Sequence, residues 1–126
     1  MTRKLPSALF LLTAISVGLG AFGHGGQWPR HVAPALTGLD AHMVELLKLV
    51  WYWVSGAMFT LGVLLVWTWW RMGRGETTLA FVPWMIGGFY FVEGVYGAVY
   101  LGTFFLIFVA QAVLLWSTSW ALRPAR

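Results

Sequence analysis

The sequence contains no cysteine among its 126 residues, and only 10% of the residues are charged. The lack of cysteine excludes disulfides, thiolate metal sites, cysteine-bound iron–sulfur clusters and cysteine nucleophiles. About a quarter of the residues of a soluble domain are charged, so a chain that is 60% hydrophobic, with a mean hydropathy of +0.76, has too few charges for a surface in water. These values predict a single integral membrane domain over residues 1–126.

Recognisable catalytic patterns are also lacking. The sequence has no glycine-rich phosphate loop, and its apolar runs contain neither a serine–histidine pair nor paired acids. The net charge is +4, but the basic residues flank the apolar runs and do not cluster on one face, which excludes nucleic acid as an expected partner. The expected partners are membrane lipids and other membrane protein subunits or further copies of this chain.

Four apolar runs are long enough to cross about 30 Å of hydrocarbon as helices. They predict an all-α membrane protein, a four-transmembrane-helix bundle, with spans over about 5–23, 43–70, 79–100 and 103–122. Residues 24–39 are predicted to form a loop on the outer side, because Pro29 and Pro34 interrupt a helix there. Asp40 or Thr37 is expected to cap the second helix.

The first apolar run has two interpretations. Its basic start at Arg3 and Lys4 and its small residues Ala21 and Gly23 also fit a signal peptide that is cleaved before His24. A retained span is favoured because the apolar stretch is longer than the usual core of a signal peptide.

The orientation follows from the basic residues near the ends of the spans, because the cytoplasmic side carries the excess of Lys and Arg. With four spans, one side carries Arg3, Lys4, Arg71, Arg74, Arg123 and Arg126, and the other carries Arg30 and Lys48. Both termini are therefore predicted to be cytoplasmic, in an inner (plasma) membrane of the bacterial type.

Glu93 lies inside the third predicted span, in its outer half. A charged residue at the centre of a bilayer costs roughly 2.5 to 3.5 kcal/mol on insertion scales, so Glu93 needs a proton, a cation or a hydrogen-bond partner. Three tyrosines share its helix face at helical spacing: Tyr90, Tyr96 and Tyr100. A structural hydrogen bond, a role in binding a ligand or a proton, and a subunit interface remain open for Glu93.

A polar stripe on the second span provides candidate partners for Glu93. Its members recur every three or four residues: His42, Glu45, Lys48, Tyr52 and Ser55. Counted from the outer end, Lys48 and Tyr52 lie near the level of Glu93, which predicts a Glu93–Lys48 ion pair or a Glu93–tyrosine hydrogen bond. The alternative is an exposed helix start whose polar side chains reach into the headgroups.

Other residues indicate how the helices pack. Gln111, midway along the fourth span, is predicted to hydrogen-bond to a neighbouring helix and belongs to the polar groups that a ligand or a proton would use. Gly87 and Gly94 in the third span, and Gly56 and Gly62 in the second, allow helices to approach closely.

No cofactor is predicted, and a metal on the outer side remains an alternative. Imidazole and carboxylate groups suit zinc or copper, and the candidate ligands are His24, His31, His42 and Glu45. Their spacing is irregular, so solvated loop histidines are the favoured interpretation. No histidine falls within a predicted span, so a membrane-embedded haem is not expected.

The leading hypothesis for function is a non-enzymatic accessory or binding subunit that holds a partner protein or a lipophilic ligand near Glu93. The alternative is a proton-coupled carrier of a cationic or lipophilic small molecule, with the tyrosine rings of the third span as partners for a cation. A third hypothesis is a membrane enzyme that acts on a lipid or a quinone, with His42 and Glu45 as acid and base.

This plan, four short spans with one membrane-embedded carboxylate among aromatic residues, resembles that of the small multidrug resistance exporters. In that family the essential glutamate lies in the first span, whereas Glu93 lies in the third. The resemblance therefore implies the architecture only and no residue role, since a shared fold does not assign a function.

Overall fold

The computed structural model describes residues 4–123, which form an all-helical bundle without strands. Arg3 and Arg126, which contribute to the predicted orientation, lie outside the described residues. The four long helices are α1 (Lys4–Gln27), α2 (Ala41–Gly73), α3 (Val82–Tyr100) and α4 (Leu106–Ala121).

Three helical stretches are long and apolar enough to cross a membrane: Lys4–Ala35, Ala41–Gly73 and Thr103–Ala121. These stretches identify the chain as a membrane protein. The remaining helix, α3, has 19 residues, and its glycines, its tyrosines, Pro83 and Glu93 lower its mean hydropathy.

Helical structure continues beyond α1 into the segment 24–39, which the sequence predicts to be a loop. Pro29 has no N–H to donate to the preceding turn. The backbone from Trp28 to Val32 forms a π-helical turn, in which the Ala33 N–H donates to the Trp28 carbonyl five residues earlier. The continuation consists of this π-helical turn, Trp28–Val32, and a short helical turn, Ala33–Ala35.

The start of α2 is capped by Asp40. Its Oδ1 atom accepts a hydrogen bond from the Met43 N–H at 3.0 Å, which satisfies one of the free N–H groups at the helix start. Of the two predicted caps, Asp40 is therefore the one used. Because α2 has 33 residues and is about 50 Å long, it exceeds the hydrocarbon thickness, and part of it extends into the headgroup layer or water.

The helices pack in the order α2, α1, α4, α3. Helix α1 packs along α2, α3 packs along α4, and α1 joins the two pairs through α4, whereas α2 and α3 touch at few places. The buried core contains Phe10, Ala14, Val17, Leu65, Val82, Ile86, Tyr90, Ala112 and Leu115.

Glycines allow the closest helix contacts, as the sequence predicts for three of the four glycines considered. A Cβ atom on Gly62 of α2 would overlap the backbone of Gly18 in α1. On α3, Gly87 leaves room for the Trp116 side chain, and Gly94 leaves room for the backbone and side chain of Val109. Gly56 differs, because a Cβ atom there would meet nothing within 4 Å.

A sharp turn joins α3 to α4 at the predicted break near Leu101 and Gly102. Gly102 has a φ of 134°, a value that favours glycine because it has no Cβ atom. A single 3-10 turn, Thr103–Phe105, then leads into α4. This turn places Phe105 against Gly97 of α3, so the two helices run antiparallel in close contact.

Candidate ligand-binding cavity

A cavity of about 250 Å³ lies between the helices around Glu93. All four helices and the 3-10 turn contribute to its lining, which consists of His24, Val54, Met58, Phe89, Tyr90, Glu93, Phe105 and Phe108. Phe89 and Glu93 are exposed at the bundle surface although they line the cavity, so its mouth opens outward. Aromatic and aliphatic walls with a few polar groups are typical of small-molecule sites.

The Glu93 carboxyl group has no protein partner among residues 4–123. The two ion pairs of these residues are Lys48–Glu45, at 3.4 Å, and Arg71–Glu76. The predicted Glu93–Lys48 pair is therefore not formed, and no tyrosine hydroxyl bonds to Glu93. On α2, the residues that line the cavity with Glu93 are Val54 and Met58. Lys48 precedes Val54 by about 9 Å along the axis of α2.

Tyr90 is buried beside Glu93, with only 3% of its surface exposed. Its ring contacts Phe108 edge to face, with centroids 5.6 Å apart, and Phe89, with centroids 6.1 Å apart. The Tyr90 hydroxyl has no hydrogen-bond partner in the described part of the chain. A buried unpaired hydroxyl costs about 1–3 kcal/mol, so Tyr90 carries hydrogen-bonding capacity that residues 4–123 leave unused.

His24 is the third polar residue of the cavity, and several contacts hold its ring in place. The ring stacks on Trp51, with centroids 4.1 Å apart and an interplanar angle of 13°. Its Nδ1 atom lies 2.9 Å from the Ser55 Oγ. The Ser55 Oγ also lies within hydrogen-bond distance of the Trp51 carbonyl, at 3.1 Å, so Ser55 connects the His24 ring to the backbone of α2.

The remaining polar residues of the second span lie outside this cavity. Tyr52 and Ser55 line a separate groove between α1 and α2, with a volume of about 630 Å³. Lys48 pairs with Glu45 at the helix start. Of the predicted polar stripe, only Ser55 approaches the cavity, through its hydrogen bond to His24.

The other predicted residues of α3 and α4 are also separated from Glu93. Tyr96 and Tyr100 are exposed and contact each other, with ring centroids 4.7 Å apart. Gln111 is buried, and its Nε2 donates to the Ser16 Oγ of α1 at 3.0 Å, which is the predicted bond to a neighbouring helix. From the predicted set, the structure brings together Glu93 and Tyr90.

The four candidate metal ligands do not assemble. Within residues 4–123, no group of three or more histidine and acidic side chains lies close enough to hold a metal ion. His24 lies in α1, His31 in the π-helical turn, and His42 and Glu45 near the start of α2. The helical continuation of α1 takes the place of the predicted loop, on which His31 was expected to lie.

Comparison with known proteins finds no family model that matches the sequence, no similar protein among those with curated descriptions, and no solved structure with significant similarity. The cavity and its lining residues are therefore the basis for proposing a function.

Proposed function

We propose that the chain is a small four-span membrane protein with both termini in the cytoplasm of a bacterial-type cell. It acts as a non-enzymatic binding subunit, and the cavity holds a lipophilic ligand next to Glu93. The observation that carries this proposal is that one aromatic-walled cavity is lined both by Glu93, whose carboxyl group has no partner among residues 4–123, and by Tyr90, whose buried hydroxyl also has none there. A volume of about 250 Å³ suits a small molecule and is too small for the helix of a partner protein.

The chemistry of the lining favours an organic cation. A carboxylate attracts a positive charge, and the ring faces of Phe89, Phe105 and Phe108 add cation–π attraction. Within the hydrocarbon layer of a membrane both interactions are stronger than in water, since the local dielectric is low. A lipophilic amine or quaternary ammonium compound therefore matches both the walls and the acid.

Binding of benzyltrimethylammonium to the purified protein in detergent tests this proposal. Calorimetry is expected to show binding of this cation and much weaker binding of neopentylbenzene, its uncharged carbon analogue. Glu93→Gln should weaken cation binding at least about tenfold, which corresponds to about 1.4 kcal/mol.

Glu45→Gln is the matched control, because Glu45 is an acid outside the cavity. It should leave the affinity for benzyltrimethylammonium unchanged. Equal affinities for the charged and the uncharged compound, or equal effects of the two glutamine substitutions, would contradict the proposal.

A proton-coupled carrier is the second candidate, and the presence of two titratable side chains, His24 and Glu93, in one cavity favours it. A carrier of this kind releases protons when a cation binds. A pH-indicator titration would then show proton release with the unmodified protein and less release with Glu93→Gln. Binding without proton release would contradict the carrier and support the non-enzymatic binding subunit.

A further inference from the structure

Besides the Glu93 cavity and the groove at Tyr52 and Ser55, a third recess lies between α1 and α2, with a volume of about 570 Å³. Its lining includes Ile15 and Leu19 of α1 and Val63, Trp67 and Trp70 of α2. The recess shares no lining residue with the Glu93 cavity. The recess is an open apolar groove on the side of the bundle, because side chains that line it are exposed; Val63, for example, is 52% exposed.

Two arginines lie on the tryptophans at one end of this recess. The Arg74 guanidinium carbon is 3.8 Å from the centroid of the Trp70 ring, and that of Arg71 is 5.5 Å from the centroid of the Trp67 ring. Arg71 also donates from Nε to the Glu76 carboxylate at 2.6 Å. Arg74 is exposed and has no carboxylate partner among residues 4–123.

We propose that this recess binds one anionic glycerophospholipid. An acyl chain lies along the recess, and the phosphate is bound by Arg74 at its end. A guanidinium matches the phosphate oxygens with two parallel hydrogen bonds, and stacking on Trp70 fixes its plane.

Charge favours a lipid over a second copy of the chain. Lys4, Arg71, Arg74 and Arg123 lie at the same end of the bundle, since they belong to the start of α1 and to the ends of α2 and α4. Copies inserted in the same orientation would bring these basic ends together. An anionic headgroup neutralises them instead, and juxtamembrane basic residues attract anionic lipids.

Native mass spectrometry of the purified protein tests this proposal, after exposure to equal amounts of phosphatidylglycerol and phosphatidylcholine with identical acyl chains. We expect one bound lipid per chain, with phosphatidylglycerol preferred. Arg74→Gln should lower the ratio of bound phosphatidylglycerol to phosphatidylcholine about fivefold, the factor that corresponds to about 1 kcal/mol per basic residue at an anionic surface.

Arg123→Gln is the matched control. Arg123 lies at the same end and also stacks on a tryptophan, with its guanidinium carbon 5.0 Å from the centroid of a Trp120 ring, but Trp120, unlike Trp70, does not line the recess. This variant should keep the lipid ratio of the unmodified protein. Equal ratios for Arg74→Gln and Arg123→Gln would overturn the proposal.

Two further measurements address the recess itself. Val63→Trp fills it and should lower the retention of both lipids, and soluble glycerol 3-phosphate should fail to displace phosphatidylglycerol because it has no acyl chain. Displacement by glycerol 3-phosphate would overturn the proposed acyl-chain site. A change in oligomeric mass in Val63→Trp, without loss of bound lipid, would show that copies of the chain occupy the recess, which also overturns the proposal.

Discussion

Replacement of Tyr90 by phenylalanine tests whether the buried Tyr90 hydroxyl is unpaired. Because the buried hydroxyl has no partner, Tyr90→Phe is expected to leave the free energy of unfolding unchanged or to raise it by up to about 1 kcal/mol. Denaturation of the detergent-solubilised protein, followed by circular dichroism, measures this value. Tyr96→Phe is the control, since Tyr96 is 60% exposed. A destabilisation above about 1 kcal/mol in Tyr90→Phe alone would show that the hydroxyl is already paired.

The position of Glu93 within a helix could be predicted from the sequence, but its surroundings could not. Helical spacing gives the depth of a residue along its own helix, whereas it does not say which helix lies opposite. Lys48 was the expected partner, but Val54 and Met58 of α2 line the cavity opposite Glu93. These two apolar residues look the same in the sequence as any residue that faces lipid.

His24 shows a different limit of sequence analysis. Its neighbours in the chain are glycines, and the prolines that follow suggest a loop. The contacts that hold its ring come from Trp51 and Ser55, which lie far away in the sequence. Only the packing of α1 against α2 reveals that this histidine belongs to the cavity.

The crossing of α1 and α2 depends on the absence of a side chain at Gly62. A Cβ atom there would overlap the Gly18 backbone, so Gly62→Ala must push the helices apart. We expect a loss of about 1–3 kcal/mol in the free energy of unfolding, the usual range for an overpacked core. Denaturant titration in detergent measures the loss.

Gly56→Ala serves as the control on the same helix, because a Cβ atom at Gly56 has open space. The higher helix propensity of alanine should keep or raise stability, by at most about 1 kcal/mol. Equal stabilities of the two alanine variants would contradict the close contact between Gly18 and Gly62.

The helices themselves were largely predictable, since apolar runs of sufficient length have few other structures in a membrane. The end of α1 was not. Pro29 and Pro34 are correct signals against an ordinary α-helix, but the chain forms a π-helical turn over Trp28–Val32, which contains Pro29, and stays helical to Ala35. Whether the helix ends at these prolines or continues through a π-helical turn depends on the local backbone geometry, which the amino-acid composition does not determine.

Because the chain contains no cysteine, an introduced cysteine would be its only thiol. Labelling of that thiol with a maleimide therefore tests the orientation of the whole molecule. Thr37→Cys lies in the turn between α1 and α2, and Thr78→Cys in the turn between α2 and α3. In intact cells a membrane-impermeant maleimide should label Thr37→Cys only, and permeabilisation should be needed for Thr78→Cys. The reverse pattern would invert the proposed orientation, and labelling of both positions in intact cells would show that α2 does not cross the membrane.

The sparse contact between α2 and α3 has a consequence for how affinity should be measured. If the proposed ligand enters on that side, the bilayer is the solvent from which it arrives, and occupancy then depends on the amount of ligand dissolved in lipid. Dilution with extra lipid or detergent should therefore raise the apparent dissociation constant in proportion, although no contact in the binding site changes. Mole fraction in the membrane, and not molarity in the buffer, is the concentration scale on which variants of this protein can be compared.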